Sequence, residues 1–68
     1  MIFVLDANAM YNAIEHKIRL VDINDVVHIA NVDYYESEVD SESGMQEIGL
    51  DDGWFFRENQ IKSIEILE

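Results

Sequence analysis

Short apolar runs, separated by polar stretches, follow one another along the chain from Lys17 onward. Their β-branched and aromatic content predicts five strands, over residues 17–22, 26–35, 46–50, 54–57 and 61–67. Asn24-Asp25 and Asp51-Asp52-Gly53 lie between runs and have the composition of tight turns. Short strands joined by such turns predict a mainly β fold, a bent antiparallel barrel of five strands.

A short helix is expected before the first strand, over residues 7–15. Asp6 is a suitable N-cap because its carboxylate can accept hydrogen bonds from the first helical amides. Met10 and Ile14 are four positions apart, so they would share one apolar face, with Ala13 beside them. A helix of this length is marginal alone, and packing against the strands must stabilise it.

Length and composition indicate one domain over residues 1–68. A chain this short buries only about 60% of its unfolded surface, and the absence of cysteine excludes disulfides as a supplement. Self-association is therefore expected. The apolar run Met1–Leu5 is too short to span a membrane and has no basic flank, so a cytoplasmic location is the expectation.

The charge of the chain is strongly one-sided, with 15 acidic residues against four Lys and Arg and a formal net charge of −11. No Lys or Arg occurs between Leu20 and Phe56, whereas ten carboxylates do. Proteins that bind nucleic acid gain affinity by releasing phosphate counterions with Lys and Arg. The composition therefore disfavours nucleic acid and favours cationic partners, such as basic proteins.

The stretch Phe56-Arg57-Glu58-Asn59-Gln60-Ile61-Lys62-Ser63-Ile64 resembles the second motif of the Sm-like (LSm) family. That motif runs apolar, Arg, Gly, two polar residues, Ile, two further residues and Ile. Here Arg57, Asn59 and Ile61 keep it, and Glu58 replaces the glycine. The first motif is matched less fully: its two glycines fall at Asp25 and Ala30, and its apolar position at Val32.

The resemblance covers roughly residues 9–67 and implies a helix that caps a five-stranded, SH3-like barrel. It also implies oligomers in which the fourth strand of one subunit pairs with the fifth of the next. Short Sm-like proteins of this kind occur in Gram-positive bacteria and their phages. In the family, an asparagine of the loop that falls on residues 36–40 and the Arg-Gly pair hold RNA bases. Asp40 and Glu58 replace that asparagine and glycine, which argues against RNA binding.

Four carboxylates alternate with other residues in the loop before the third strand: Glu36, Glu38, Asp40 and Glu42. If that stretch were extended, they would project to one side about 6.7 Å apart. Such a ladder would imitate a nucleic-acid backbone and occupy a basic site on another protein. Two alternatives are a cation site, although the spacing matches no EF-hand, and a solvated loop that keeps the protein soluble. The solvated loop is the simplest interpretation.

Two aromatic clusters, Tyr34-Tyr35 and Trp54-Phe55-Phe56, are the other candidates for binding. Neighbouring strand residues point to opposite faces, so about half of these rings should lie outside the core. They would form either an aromatic cage for a cationic group or a contact between subunits. The subunit contact is the preferred interpretation.

Catalytic motifs are not recognisable in the sequence. His28 is in phase with inward positions of the second strand and is interpreted as a hydrogen-bonded strand residue, and His16 as the residue that closes the helix. Residues 2–9 resemble the opening of PIN-type ribonucleases, but the strands that follow leave no room for their crossover helices. No enzyme activity, metal or cofactor is expected.

These observations predict a non-catalytic, acidic protein-interaction module that forms homo-oligomers and acts on a basic partner. The partner would contact the loop that carries Glu36, Glu38, Asp40 and Glu42. Two alternatives stay open: a degenerate Sm-like RNA-binding protein, and an oligomer with a purely structural role.

Overall fold

A computed structural model describes residues 8–68. One short helix, α1 (Ala9–Asn12), precedes five strands: β1 (Lys17–Asp22), β2 (Val27–Glu36), β3 (Glu47–Leu50), β4 (Phe55–Arg57) and β5 (Ile61–Ile66). The strands form one antiparallel sheet in the order β4-β3-β2-β1-β5. The prediction of a mainly β protein with five antiparallel strands and a short helix is confirmed.

Alternating side chains of the two central strands form the inner face of the sheet. In β1, Ile18 and Leu20 are buried, and they pair across to Ala30 and His28 of β2. Intervening residues such as Ile29 point outward and stay exposed. This period of two is the pattern expected of a sheet with one face packed on a core and one face in solvent.

The remaining core comes from the helical segment and from β2, β3, β4 and β5. Met10 and Ala13 are fully buried, so the helical segment covers the inner face of the sheet. The other buried apolar side chains of this core are Val32, Ile48, Leu50, Phe56 and Ile61. A core of this size is small, and each large side chain in it therefore contributes a substantial fraction of the stability.

The helix is shorter than the sequence predicts. It ends at Asn12, and residues 13–15 form turns in which Glu15 has a left-handed backbone with φ 66°. The Glu15 amide donates to the Val32 carbonyl rather than to the preceding helical turn. Contact with β2 therefore ends the helix early. The predicted N-cap Asp6, the first predicted helical residue Ala7 and the apolar run 1–5 lie outside the described residues.

Each strand begins and ends within one residue of its predicted range, because turns separate the strands clearly. Gly53 has φ 94° in the turn between β3 and β4, where its amide donates to the Leu50 carbonyl. A residue with a side chain would be strained in this conformation. Asp25 has φ 64° in the turn between β1 and β2, a conformation that Asp tolerates better than most residues.

The sheet is open, whereas the sequence predicts a barrel. β4 and β5 occupy its opposite ends and do not pair with each other within residues 8–68. Register shifts at Val21/Asp22 and at Val32/Tyr34 interrupt the ladders and increase the local bend of the strands. No helix in residues 8–68 is long and apolar enough to cross a membrane.

Candidate functional site

The acidic loop, residues 36–42, is folded into turns and is not extended. After Glu36, the last residue of β2, the amides of Asp40 and Ser41 donate back to the Ser37 carbonyl at 3.2 and 2.9 Å. The hydroxyl of Ser37 also donates to the Asp40 carboxylate. The extended ladder of four evenly spaced carboxylates, one of the alternatives for this loop, is therefore not formed, because local hydrogen bonds of serine compete with an extended backbone.

A polar network joins the end of this loop to β3 and β4. The Ser43 hydroxyl donates to Glu47 Oε2 at 2.8 Å and lies 2.7 Å from the hydroxyl of Ser41. Arg57 Nε donates to the same oxygen at 3.1 Å. The Ser43 hydroxyl is the main reason that the pKa of Glu47 lies below its usual value, with further lowering by Ser41 and Arg57.

The four residues at Sm-motif positions have different environments. Arg57 is half-exposed and forms an ion pair with Glu47, and Glu58 and Asn59 lie in the short 3₁₀ turn Glu58–Gln60. Ile61 begins β5 and belongs to the core. The Gln60 side chain accepts a hydrogen bond from the Arg57 amide and so fixes the turn between β4 and β5. Arg57 is therefore engaged with a carboxylate of the neighbouring strand β3.

Within residues 8–68, the tyrosine, tryptophan and phenylalanine rings form three separate contacts rather than one cluster. Tyr34 and Phe55 are both exposed, with ring centroids 5.9 Å apart. Trp54 is stacked at 5.8 Å on Phe56, which is buried. Tyr35 contacts Tyr11 of α1 instead, with centroids 5.6 Å apart and an interplanar angle of 83°. The two predicted clusters therefore meet at Tyr34 and Phe55, whereas Tyr35 packs on α1.

His28 is buried and hydrogen-bonded within the sheet, as the sequence indicates. Its Nε2 lies 3.0 Å from Asp22 Oδ2, and the rings of Trp54 and Phe56 each lie 4.9 Å from the imidazole. The hydrogen bond with His28 is the main reason that the pKa of Asp22 is lowered, although burial opposes it. The Asn24 and Val26 amides also donate to Asp22. This cluster has the features of a structural polar contact between β1 and β2.

A cleft of about 450 Å³ lies where the acidic loop meets the 3₁₀ turn and α1. Six of the residues that line it are Tyr11, Tyr35, Glu38, Val39, Gln46 and Glu58. The Tyr35 hydroxyl donates to Gln46 Oε1 at 2.9 Å, and Gln46 Nε2 is 3.4 Å from Glu58 Oε1. The fold thus brings Glu38 of the predicted acidic site together with Tyr35 and with Glu58 of the Sm-motif positions.

Tyr11 and Gln46 are residues of this cleft that the sequence did not identify. Tyr11 lies on the outer side of a four-residue helix and is 61% exposed, beside the buried Met10. An exposed aromatic residue next to a core residue is a weak signal for binding, because isolated exposed apolar residues are normal. The three other acids of the loop do not line the cleft: Asp40 and Glu42 are exposed, and Glu36 is half-buried and accepts a hydrogen bond from the Tyr34 hydroxyl.

Among the described residues, no basic side chain lines this cleft. Arg57 is held by Glu47, and Lys62 forms an ion pair with Asp25 near the turn between β1 and β2. Lys17 and Arg19 lie on β1. Within residues 8–68, no group of three His, Asp or Glu side chains is arranged to hold a metal ion.

Comparisons of the chain with protein families, with characterised proteins and with solved structures gave no match.

Proposed function

We propose that this protein is a non-catalytic interaction module that binds a basic segment of a partner protein. The observation that carries the proposal is the cleft beside the acidic loop, where Glu38 and Glu58 meet the rings of Tyr11 and Tyr35. A concave surface of about 450 Å³ lies within the range that small binding sites occupy. Its lining combines apolar area with negative charge, which suits a cationic side chain.

The charge of the whole chain supports the same class of partner. A net charge of −11 repels nucleic acid at long range and attracts basic surfaces. Asp40 and Glu42 extend the negative surface beyond the cleft, because both are exposed. The single arginine near this region, Arg57, is held by Glu47 and contributes little positive potential.

An Sm-like fold belongs to the same proposal. A helix followed by five antiparallel strands supports it, and so do the edge positions of β4 and β5, which suit the pairing between subunits that the resemblance implies. The open sheet departs from the implied barrel. Within residues 8–68, β4 and β5 each have one edge without a neighbouring strand, which would allow β4 of one subunit to pair with β5 of the next. Exposed Trp54, Phe55, Ile66 and Leu67 near these edges support a homo-oligomer with apolar contacts between subunits.

Residual RNA binding is the principal rival from another class. In that case Arg57 would have to leave Glu47 and contact the nucleic acid, and Glu58 would lie beside the bound phosphates. Both requirements cost electrostatic free energy, because the arginine loses a partner and the carboxylate repels phosphate. We therefore propose a cationic peptide as the ligand, in place of the RNA that Sm-like proteins bind.

A pair of fluorescence anisotropy titrations tests the proposal. One probe is a labelled ten-residue peptide of alternating Lys, Arg and Gly, and the other is a labelled single-stranded oligouridylate. We expect the peptide to bind at low salt, with affinity that falls as salt screens the charges, and the RNA to remain unbound. RNA binding without peptide binding would overturn the proposal, and so would the absence of peptide binding at low salt.

A further inference from the structure

Two tyrosine rings in contact with each other line the cleft between α1, β2 and the 3₁₀ turn. Tyr11 and Tyr35 stand nearly at right angles, 83°, with centroids 5.6 Å apart. The Tyr35 hydroxyl donates to Gln46 Oε1, and its ring packs against the buried core. Tyr35 is therefore held in place before any ligand arrives, which lowers the entropy cost of binding.

Negative charge is concentrated at these rings. Glu38 and Glu58 both line the cleft. Burial raises the pKa of the Tyr35 hydroxyl, and the nearby charge of Glu38 and then that of Glu58 raise it further. The potential in the cleft therefore favours a positive group, and the aromatic faces add an attraction of their own for cations.

We propose that this cleft receives the guanidinium group of one arginine of the basic partner, an inference that rests on the proposed function. A guanidinium is planar, so it can lie against a tyrosine ring while its N–H groups donate to Glu38 and Glu58. An ammonium group is compact and strongly hydrated, and it offers no flat surface to stack. Arginine therefore fits a cleft with two aromatic walls and two carboxylates better than lysine does.

Two peptides of equal charge separate this proposal from general electrostatic attraction. One contains six lysines and a central arginine, and in the other that arginine is lysine. We expect the arginine peptide to bind about threefold to thirtyfold more tightly to the full chain, the range that a cation–π contact provides. In NMR spectra, the side-chain protons of that arginine should shift upfield because they lie over an aromatic ring.

Two variants test whether the preference for the arginine peptide over the lysine peptide depends on the cleft. Tyr11→Leu should abolish the difference between the two peptides, while salt-dependent binding of both remains. Tyr34→Leu is the matched control, since Tyr34 is also an exposed tyrosine but contacts Phe55 and lies outside the lining. It should leave the preference unchanged.

The other possible results distinguish a failure of the arginine site from a failure of the proposed function. Equal, salt-dependent binding of the two peptides would keep the proposed function and contradict the arginine site. An arginine preference that survives in Tyr11→Leu would also contradict it. Nuclear Overhauser contacts from the Tyr11 and Tyr35 rings to residues 1–7 of the full chain would mean that these residues occupy the cleft, and they would contradict the arginine site. Failure of both peptides at low salt would overturn the proposed function as well.

Discussion

The carboxylate of Asp22 shows how one buried polar residue connects two strands. It accepts hydrogen bonds from the Asn24 amide at 2.8 Å, from the Val26 amide at 3.0 Å and from His28. The first two bonds fix the turn between β1 and β2, and the third reaches the inner face of the sheet. Removing such an acceptor leaves its donors unsatisfied, and that costs more than the bond itself contributes.

Asp22→Asn should therefore lower stability in a pH-dependent way. The pKa of Asp22 is lowered in the folded protein, chiefly by the hydrogen bond with His28. The stabilisation it provides is thus present above the unfolded-state pKa, near 3.8, and is lost as pH falls through the lower folded-state value. Urea unfolding between pH 7 and pH 2.5 should show a difference from the parent protein that shrinks on acidification.

A matched charge change separates this effect from relief of the overall repulsion among acids. Glu65→Gln removes one negative charge at an exposed position of β5 and should leave the free energy of unfolding nearly unchanged across the same range. A deficit in Asp22→Asn that stays constant down to the lowest pH would contradict the account of the Asp22–His28 contact.

At the scale of elements, serine hydroxyls determine the conformation between β2 and β3. Ser43 connects the loop to Glu47, and its hydroxyl also accepts from the Met45 amide at 3.3 Å. Ser41 is buried within the same segment. This network places the acidic loop next to the 3₁₀ turn, and the cleft depends on that placement.

Ser43→Ala should cost about 1 kcal/mol of unfolding free energy, the usual net value of a lost hydrogen bond. Amide exchange in residues 37–46 should quicken more than exchange in β1, because the loss is local. Chemical denaturation and hydrogen exchange measure the two effects. Ser63→Ala in β5 is the control, and an equal loss there would mean that the Ser43 network has no special role.

The strands could be predicted from sequence because burial alternates along them. Ile18 and Leu20 of β1 face the core with Arg19 exposed between them, as their polarity indicates. The loop could not be predicted in the same way, since its turns depend on hydrogen bonds from Ser37 and Ser43 to specific partners. The helix was overestimated because the contact of Glu15 with Val32, far along the chain, ends it early.

At the scale of the whole molecule, the candidate site was predictable in part. Glu38, Tyr35 and Glu58 were identified from sequence for three different reasons, and the fold brings them to one cleft. Tyr11 was missed because its contact with Tyr35 depends on how α1 packs over β2. Phe55 and Trp54, by contrast, lie away from this cleft and are better suited to a contact between subunits.

A net charge of −11 attracts a basic peptide wherever the acids lie. A specific site is therefore tested by changing the position of the removed charges while their number stays the same. Glu38 lines the cleft and Glu42 extends the negative surface next to it, whereas Asp33 and Glu65 are exposed elsewhere, on β2 and β5. Two variants with equal net charge can therefore be compared directly: Glu38→Gln with Glu42→Gln, and Asp33→Asn with Glu65→Gln.

The most direct measurement is the affinity of the Lys-, Arg- and Gly-containing ten-residue peptide for the parent protein and for these two variants at one low salt concentration. We expect the first variant to lose about tenfold or more in affinity, since each close charge pair contributes on the order of 1 kcal/mol. The second variant should bind nearly as well as the parent. Equal losses in both variants would contradict a specific site at the acidic loop and leave only general attraction by net charge.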